Sequence, residues 1–111
     1  MKIAEEKSGD VLVCMLEGEV DINTSPQLRK AFEDLIKRNE KKVIVEFKSV
    51  SYIDSSGLAT LIELFQRLKK IGGVMRFSGM NQKVKNAFEI TKLHKLFEIF
   101  EDRQTAAGMA R

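Results

Sequence analysis

The segment 51–58 reads Ser-Tyr-Ile-Asp-Ser-Ser-Gly-Leu and holds two adjacent hydroxyl side chains directly after an aspartate. We expect Ser55 to lie at the cap of a helix or immediately inside it, with its hydroxyl exposed. The free backbone N–H groups of the next three residues would point outward there with partial positive charge, so an anion would be tolerated. Gly57 would leave the first turn bare for an approaching phosphate or protein. The same spacing also fits Asp54, Ser55 and Ser56 as ordinary helix-capping residues.

Serine chemistry is the catalytic alternative for this segment. Ser55 and Asp54 would need the sole histidine of the chain, His94, to form a hydrolytic triad. The sequence has no G-x-S-x-G elbow, and His94 lies in the basic polar stretch 92–95, which favours a surface histidine. We therefore predict no catalytic residues and no enzyme activity.

Metal and cofactor binding are not indicated either. One His and one Cys do not supply the usual spacing of metal ligands, so we predict no metal site. The Gly72-Gly73 pair lacks the lysine and the third glycine of a phosphate-binding loop, so we expect no cofactor.

Alternating strand and helix patterns surround the Asp-Ser-Ser-Gly segment. We predict strands at about 3–7, 11–16, 43–47, 74–78 and 96–100, with Gly18 ending the second strand and a loop at 48–54. Apolar residues at helical spacing predict helices after Asn23-Thr24-Ser25-Pro26, from the 54–58 region to Gly72, and after Asn81. The second of these helices would bury Leu58, Leu61, Ile62, Phe65 and Leu68. This order predicts an α/β fold with parallel strands, helical crossovers and one antiparallel edge pair.

Composition and charge set the class of protein. The chain has 111 residues, 32% of them charged, and a net charge of +3 with mixed signs, which fits one globular domain and disfavours nucleic-acid binding. Cys14 lies in the apolar run 11–16, which indicates a strand that is covered on both faces or is central in the sheet. We therefore expect Cys14 to be a buried small hydrophobic residue. No apolar stretch suits a membrane span and the N-terminus does not resemble a signal peptide, so we expect a cytoplasmic protein that does not bind membranes.

The order of several short motifs resembles the STAS domain family, and within it the bacterial anti-sigma factor antagonists. The resemblance runs from about residue 10 to 101 and is carried by Gly18-Glu19-Val20-Asp21, Asp54-Ser55-Ser56-Gly57-Leu58 and Lys70-Ile71-Gly72-Gly73. It implies one STAS-like domain over 1–111, with a small mixed sheet of about four to five strands and helices packed mainly on one side. The tail from 103 to 111 would be a loose helix or frayed.

The resemblance also implies a partner switch. The unphosphorylated protein would bind an anti-sigma factor that is also a serine kinase, and a sigma factor would be freed to direct transcription. The kinase would phosphorylate Ser55, with Ser56 as the alternative, and a phosphoserine phosphatase would reset the switch. Asp21, Asp54, Ser55, Ser56 and Gly57 would form the partner-binding surface of a chain that is monomeric when free.

Two other interpretations stay open at this point. A STAS-like module could serve a stress-signalling scaffold or a transporter or lipid pathway with the same fold. A small nucleotide-binding or hydrolytic domain would instead require a concave pocket with perturbed titratable groups.

Overall fold

Strands and helices alternate in the computed structural model, which describes residues 1–109. The strands are β1 (Lys2–Ser8), β2 (Val11–Val20), β3 (Lys42–Ile53), β4 (Val74–Ser78) and β5 (Glu98–Phe100). The helices are α1 (Ser25–Lys37), α2 (Ser55–Lys70), α3 (Gln82–Ile90) and α4 (Arg103–Met109), with a 3-10 turn at Leu93–Lys95. The five strands form one mixed sheet in the order β1-β2-β3-β4-β5. β1 is antiparallel to β2 and the other pairs are parallel, which confirms the predicted fold class.

The main core lies between one face of the sheet and the crossover helices. Four phenylalanines at its centre contact one another, with ring centroids 5.3 Å apart for Phe47 and Phe77 and 4.7 Å apart for Phe77 and Phe97. Burying such a side chain stabilises the fold by roughly 1.5–3 kcal/mol. The buried face of α2 differs from the predicted one. Leu64 is buried although it was not predicted to be, whereas Ile62 and Phe65 are only half-buried.

Both faces of β2 are covered, as its continuous apolar run predicts. Cys14 belongs to the main core and is fully buried, and burial raises the pKa of its thiol to about 12. Its neighbour Val13 belongs to a smaller cluster with Ile44 of β3 and Ala106 of α4. Since successive strand residues point to opposite faces, α4 covers the face that the other helices leave open.

Residues 103–109 of the tail, predicted to be a loose helix or frayed, form helix α4, which contacts the sheet. The guanidinium of Arg103 binds the carboxylate of Glu46 through two hydrogen bonds of 2.8 and 3.0 Å, and it also pairs with Glu6. These carboxylates raise the pKa of Arg103 above its ordinary value. A two-point ion pair and the buried Ala106 hold the helix on the sheet. The prediction for residues 110 and 111 lies outside the described residues.

Two predicted boundaries near the carboxyl ends of β2 and β3 are wrong. Gly18 does not end β2. It has a positive φ of 114° and lies next to a shift in the β2–β3 register, and β2 continues beyond this irregularity to Val20. Residues 48–53 of the predicted loop at 48–54 are instead the last part of β3, and Asp54 is the cap of the following helix. Both strands therefore extend further than the sequence pattern indicates.

Candidate functional site

The long end of β3 carries the start of α2. Pairing between β3 and β4 stops at Glu46, so residues 47–53 of β3 pair only with β2. Two further bonds support this projecting end. The side-chain amide of Asn81, the N-cap residue of α3, donates to the carbonyl oxygen of Val50 at 3.1 Å. The backbone N–H of Asp54 donates to the carbonyl oxygen of Val20 at 3.1 Å. The start of α2 is therefore fixed at the carboxyl ends of two strands.

Asp54 is the N-cap of α2 and also joins α2 to the loop after β2. Its Oδ1 accepts from the backbone N–H of Gly57 at 2.9 Å, and its Oδ2 accepts from that of Ile22 at 3.3 Å. Its carbonyl accepts from the N–H of Leu58 at 3.0 Å. The expectation that the N–H groups of Gly57 and Leu58 point outward unbound is thus wrong, because Asp54 binds both.

Ser55 is the first residue of α2, as predicted, and its side chain is exposed. Ser56 is half-buried, and its carbonyl accepts from the hydroxyl of Thr60 at 2.9 Å. Of the two adjacent hydroxyl residues, Ser55 therefore offers the more accessible side chain to an external enzyme.

Gly57 has a packing role that the sequence interpretation missed. The residue is buried. A Cβ at this position would lie 2.5 Å from the carbonyl oxygen of Val20 and 2.9 Å from Cγ1 of Ile53. Glycine is needed at this position because α2 approaches the ends of β2 and β3 closely. The assignment of Gly57 to the partner-binding surface stays a prediction, and this burial weighs against it.

Asp21 organises the loop between β2 and α1. Its Oδ1 accepts from the backbone N–H groups of Asn23 at 2.9 Å and Thr24 at 3.0 Å. The hydroxyls of Thr24 and Ser25 donate to backbone carbonyls instead of capping α1 from its N-cap position. The Asp21 carboxylate thus satisfies the backbone N–H groups that precede α1.

Two exposed apolar residues lie in the same region and were missed in the sequence. Ile22 is 68% exposed between Asp21 and Asn23, and Tyr52 is 38% exposed two residues before Asp54. The ammonium of Lys83 lies 5.4 Å from the centre of the Tyr52 ring. An isolated apolar residue in a polar turn carries no periodic signal, so the sequence offers no means of finding it.

The charge near Ser55 differs in sign from that of the whole chain. Glu19 is exposed at the end of β2, and Asp21 and Asp54 are half-buried beside it. The chain as a whole has a net charge of +3. The β2–α1 loop and the cap of α2 therefore carry acidic side chains on a protein that is basic overall, while the Lys83 ammonium lies over the adjacent Tyr52 ring.

The candidate triad is not assembled. His94 is exposed, and its Nδ1 lies 3.4 Å from the carbonyl oxygen of Phe88. The Asp54 carboxylate is bound by backbone N–H groups, as described above. Within residues 1–109 no three His, Cys, Asp or Glu side chains are grouped so as to hold a metal ion. None of the helices described over that range has the length and apolar character to cross a membrane.

A concave surface lies at the other end of the strands. A cavity of about 450 Å³ is bounded by the β1–β2 turn and α4, including Asp10, Lys42 and Arg103. Asp10 and Lys42 lie at the amino ends of β2 and β3, whereas Ser55 follows a carboxyl end. The cavity and the Asp-Ser-Ser-Gly segment are therefore separate features.

The STAS domain model matches residues 2–106 of the chain. The chain belongs to the STAS domain family. The anti-sigma-B factor antagonist of Bacillus subtilis (strain 168) is 31% identical to this STAS chain over 84 residues, which is 76% of each protein.

Solved structures support the same STAS fold. An anti-sigma factor antagonist from Mycobacterium paratuberculosis superposes with a TM-score of 0.90 at 22% identity, covering 99% of this chain and 93% of the other. The Bacillus cell fate determinant SpoIIAA in its phosphorylated form gives a TM-score of 0.75 at 20% identity, covering 99% and 100%. The predicted family and the predicted STAS fold are both confirmed.

Proposed function

We propose that this STAS chain is a cytoplasmic anti-sigma factor antagonist whose binding is switched by phosphorylation of Ser55. When Ser55 is unmodified, the chain binds an anti-sigma factor that is also a serine kinase, and a sigma factor is freed. The observation that carries the proposal is the exposed Ser55 hydroxyl at the first residue of α2, held on the projecting end of β3. The chain acts as a ligand and a substrate in this scheme, not as a catalyst.

Relatives of the chain support the binding function. The Bacillus subtilis relative is named for antagonism of an anti-sigma factor, and it aligns over three quarters of both proteins. The difference in exposure between Ser55 and Ser56 favours Ser55 as the modified residue. SpoIIAA has the same fold in a phosphorylated form, so this fold tolerates a phosphate.

The phosphate would act on the interface more than on the fold. A phosphoserine carries about −1.5 to −2 charges, and the N-terminus of a helix favours negative charge. Residue 55 lies at the N-terminus of a helix of 16 residues, so the folded state should persist. In a complex with a kinase, however, the new dianion would lie beside Asp54 and would face the phosphates of the nucleotide.

The size of this effect is sufficient for a switch. Moving a complex from 99:1 bound to 1:99 bound requires roughly 5.5 kcal/mol. Leaving one charge unpaired in an interface costs about 2–5 kcal/mol. A dianion beside the Asp54 carboxylate supplies more than one such charge, so electrostatic repulsion and desolvation account for release.

The test uses the anti-sigma factors of the source organism, each purified and titrated with the wild-type chain in the presence of ADP. One of them should bind the chain and, when given ATP, should place a single phosphate on Ser55, located by mass spectrometry. Ser55→Ala should bind and resist phosphorylation, whereas Ser55→Asp should bind at least about 30-fold more weakly.

Ser56→Ala is the matched control, because it removes the neighbouring hydroxyl. It should still be phosphorylated. The proposal fails if every anti-sigma factor leaves the wild-type chain unbound, or if the phosphate is found on a residue other than Ser55. Equal binding of Ser55→Asp and wild type would refute the electrostatic account.

A further inference from the structure

We propose that Ile22 is the apolar anchor of the partner interface and inserts into an apolar pocket of the anti-sigma factor that is bordered by basic side chains. This inference rests on the proposed function and adds the residue that supplies the binding energy. Ile22 is 68% exposed in a short turn that is closed by backbone and carboxylate hydrogen bonds.

The backbone of Ile22 is held in place from both sides. Its N–H donates to the carboxylate of Asp54 at 3.3 Å, across 32 positions of sequence. The turn around it is closed by Asp21, whose Oδ1 accepts from Asn23 and Thr24. A side chain that is presented on a fixed turn loses little conformational entropy when it docks, so its burial yields a larger net affinity.

The two carboxylates near Ile22 are already engaged. Asp21 binds backbone N–H groups of its own loop, and Asp54 binds those of Ile22 and Gly57. These hydrogen bonds position the loop, so the two carboxylates have fewer free acceptor sites for hydrogen bonds from a partner. Ile22 and Tyr52 supply the exposed apolar area, and buried apolar or aromatic side chains at the centre of an interface usually dominate its energy.

Charge identifies the chemistry of the surface that receives Ile22. Glu19 is exposed, and Asp21 lies directly beside Ile22, whereas the chain as a whole is basic. Lysine or arginine side chains around the pocket would complement this acidic edge and would steer the two proteins together. The nucleotide of the kinase would lie on the other side, opposite Ser55, where added phosphate repels it.

Ile90 provides a matched control. It is 81% exposed at the end of α3, so it has the same side chain and a similar exposure. Ile90 does not share the hydrogen bond by which the backbone of Ile22 is joined to the Asp54 carboxylate. Single exposed apolar residues are common and carry no meaning alone, so the contrast between the two positions tests the anchor.

The experiment measures binding of the anti-sigma factor kinase that binds the wild-type chain in the titration above, with ADP present. Ile22→Ala should raise Kd about 30-fold, or roughly 2 kcal/mol, whereas Ile90→Ala should change it by less than about twofold. Ile22→Val should stay within about threefold of wild type, because most of the apolar contact remains. Both alanine variants should keep the wild-type Tm, since neither side chain is buried.

Phosphorylation kinetics give a second measurement. Ile22→Ala should raise KM for the chain as substrate and leave kcat within about a factor of two, because the anchor docks the substrate without touching Ser55. Binding of Ile22→Ala within about threefold of wild type, or equal losses at Ile22 and Ile90, would overturn the anchor. If instead the wild-type chain binds none of the anti-sigma factors, the proposed function itself fails.

Discussion

Replacing Gly57 by alanine tests whether close packing positions the start of α2. The added Cβ would lie 2.5 Å from the carbonyl oxygen of Val20 and 2.8 Å from Cγ1 of the same residue. The backbone oxygen accepts the Asp54 N–H that joins the end of β2 to the cap of α2, so it has little freedom to move. Overpacking of this kind costs about 1–3 kcal/mol, and the better helix propensity of alanine offsets up to about 1 kcal/mol.

The expected net loss is about 1–2 kcal/mol in the free energy of unfolding, measured by urea denaturation, or roughly 5–10 °C in Tm. Gly108→Ala is the control, because Gly108 also lies in a helix and its added Cβ would meet nothing within 4 Å. That variant should lose no stability and should gain up to about 1 kcal/mol. Wild-type stability of Gly57→Ala would refute the packing account of this glycine.

Three further outcomes follow from the structure. Cys14 is buried with its pKa raised to about 12, so a disulfide reagent at mildly alkaline pH should label it in urea and leave it unmodified in the native protein. Asp54→Ala should lose about 1 kcal/mol in urea denaturation, and Asp54→Asn less, because an amide oxygen can still accept from Gly57. The Thr105 N–H lowers the pKa of Asp102 below 3.8, so its stabilisation of α4 is present above that pH and lost as pH falls further. Amide protection in α4 should fall accordingly, and an Asp102→Asn variant should not share that pH dependence.

The sequence predicts the element order well because helical and strand periodicities dominate the core. It fails at the end of β3, where the buried residues Phe47, Val50 and Ile53 are spaced by three rather than by two. The strand pairs there only with β2, across a shift in register beside Gly18, so its side chains do not alternate regularly between two covered faces. Such a segment resembles a loop in sequence although it is extended in structure.

Only those features of the candidate site that depend on neighbouring residues in the sequence can be predicted from it. An aspartate followed by two serines and a glycine is a recognisable cap, and the structure confirms Asp54 as the N-cap of α2. The bond from Ile22 to Asp54 depends on the pairing of Val20 with Ile53 across two strands. Contacts between residues so distant in sequence have no local signature, and the exposure of Ile22 follows from that same geometry.

The sequential order of the strands has a consequence for the kind of recognition this molecule can offer. In doubly wound sheets, ligand crevices open where the strand order reverses and adjacent crossovers pass to opposite faces. The described strands run from β1 to β5 without such a reversal, and the last part of β3 extends beyond its pairing with β4. Recognition at the Ser55 end therefore depends on exposed residues such as Ile22 and Ser55, not on a crevice of that kind between the described strands.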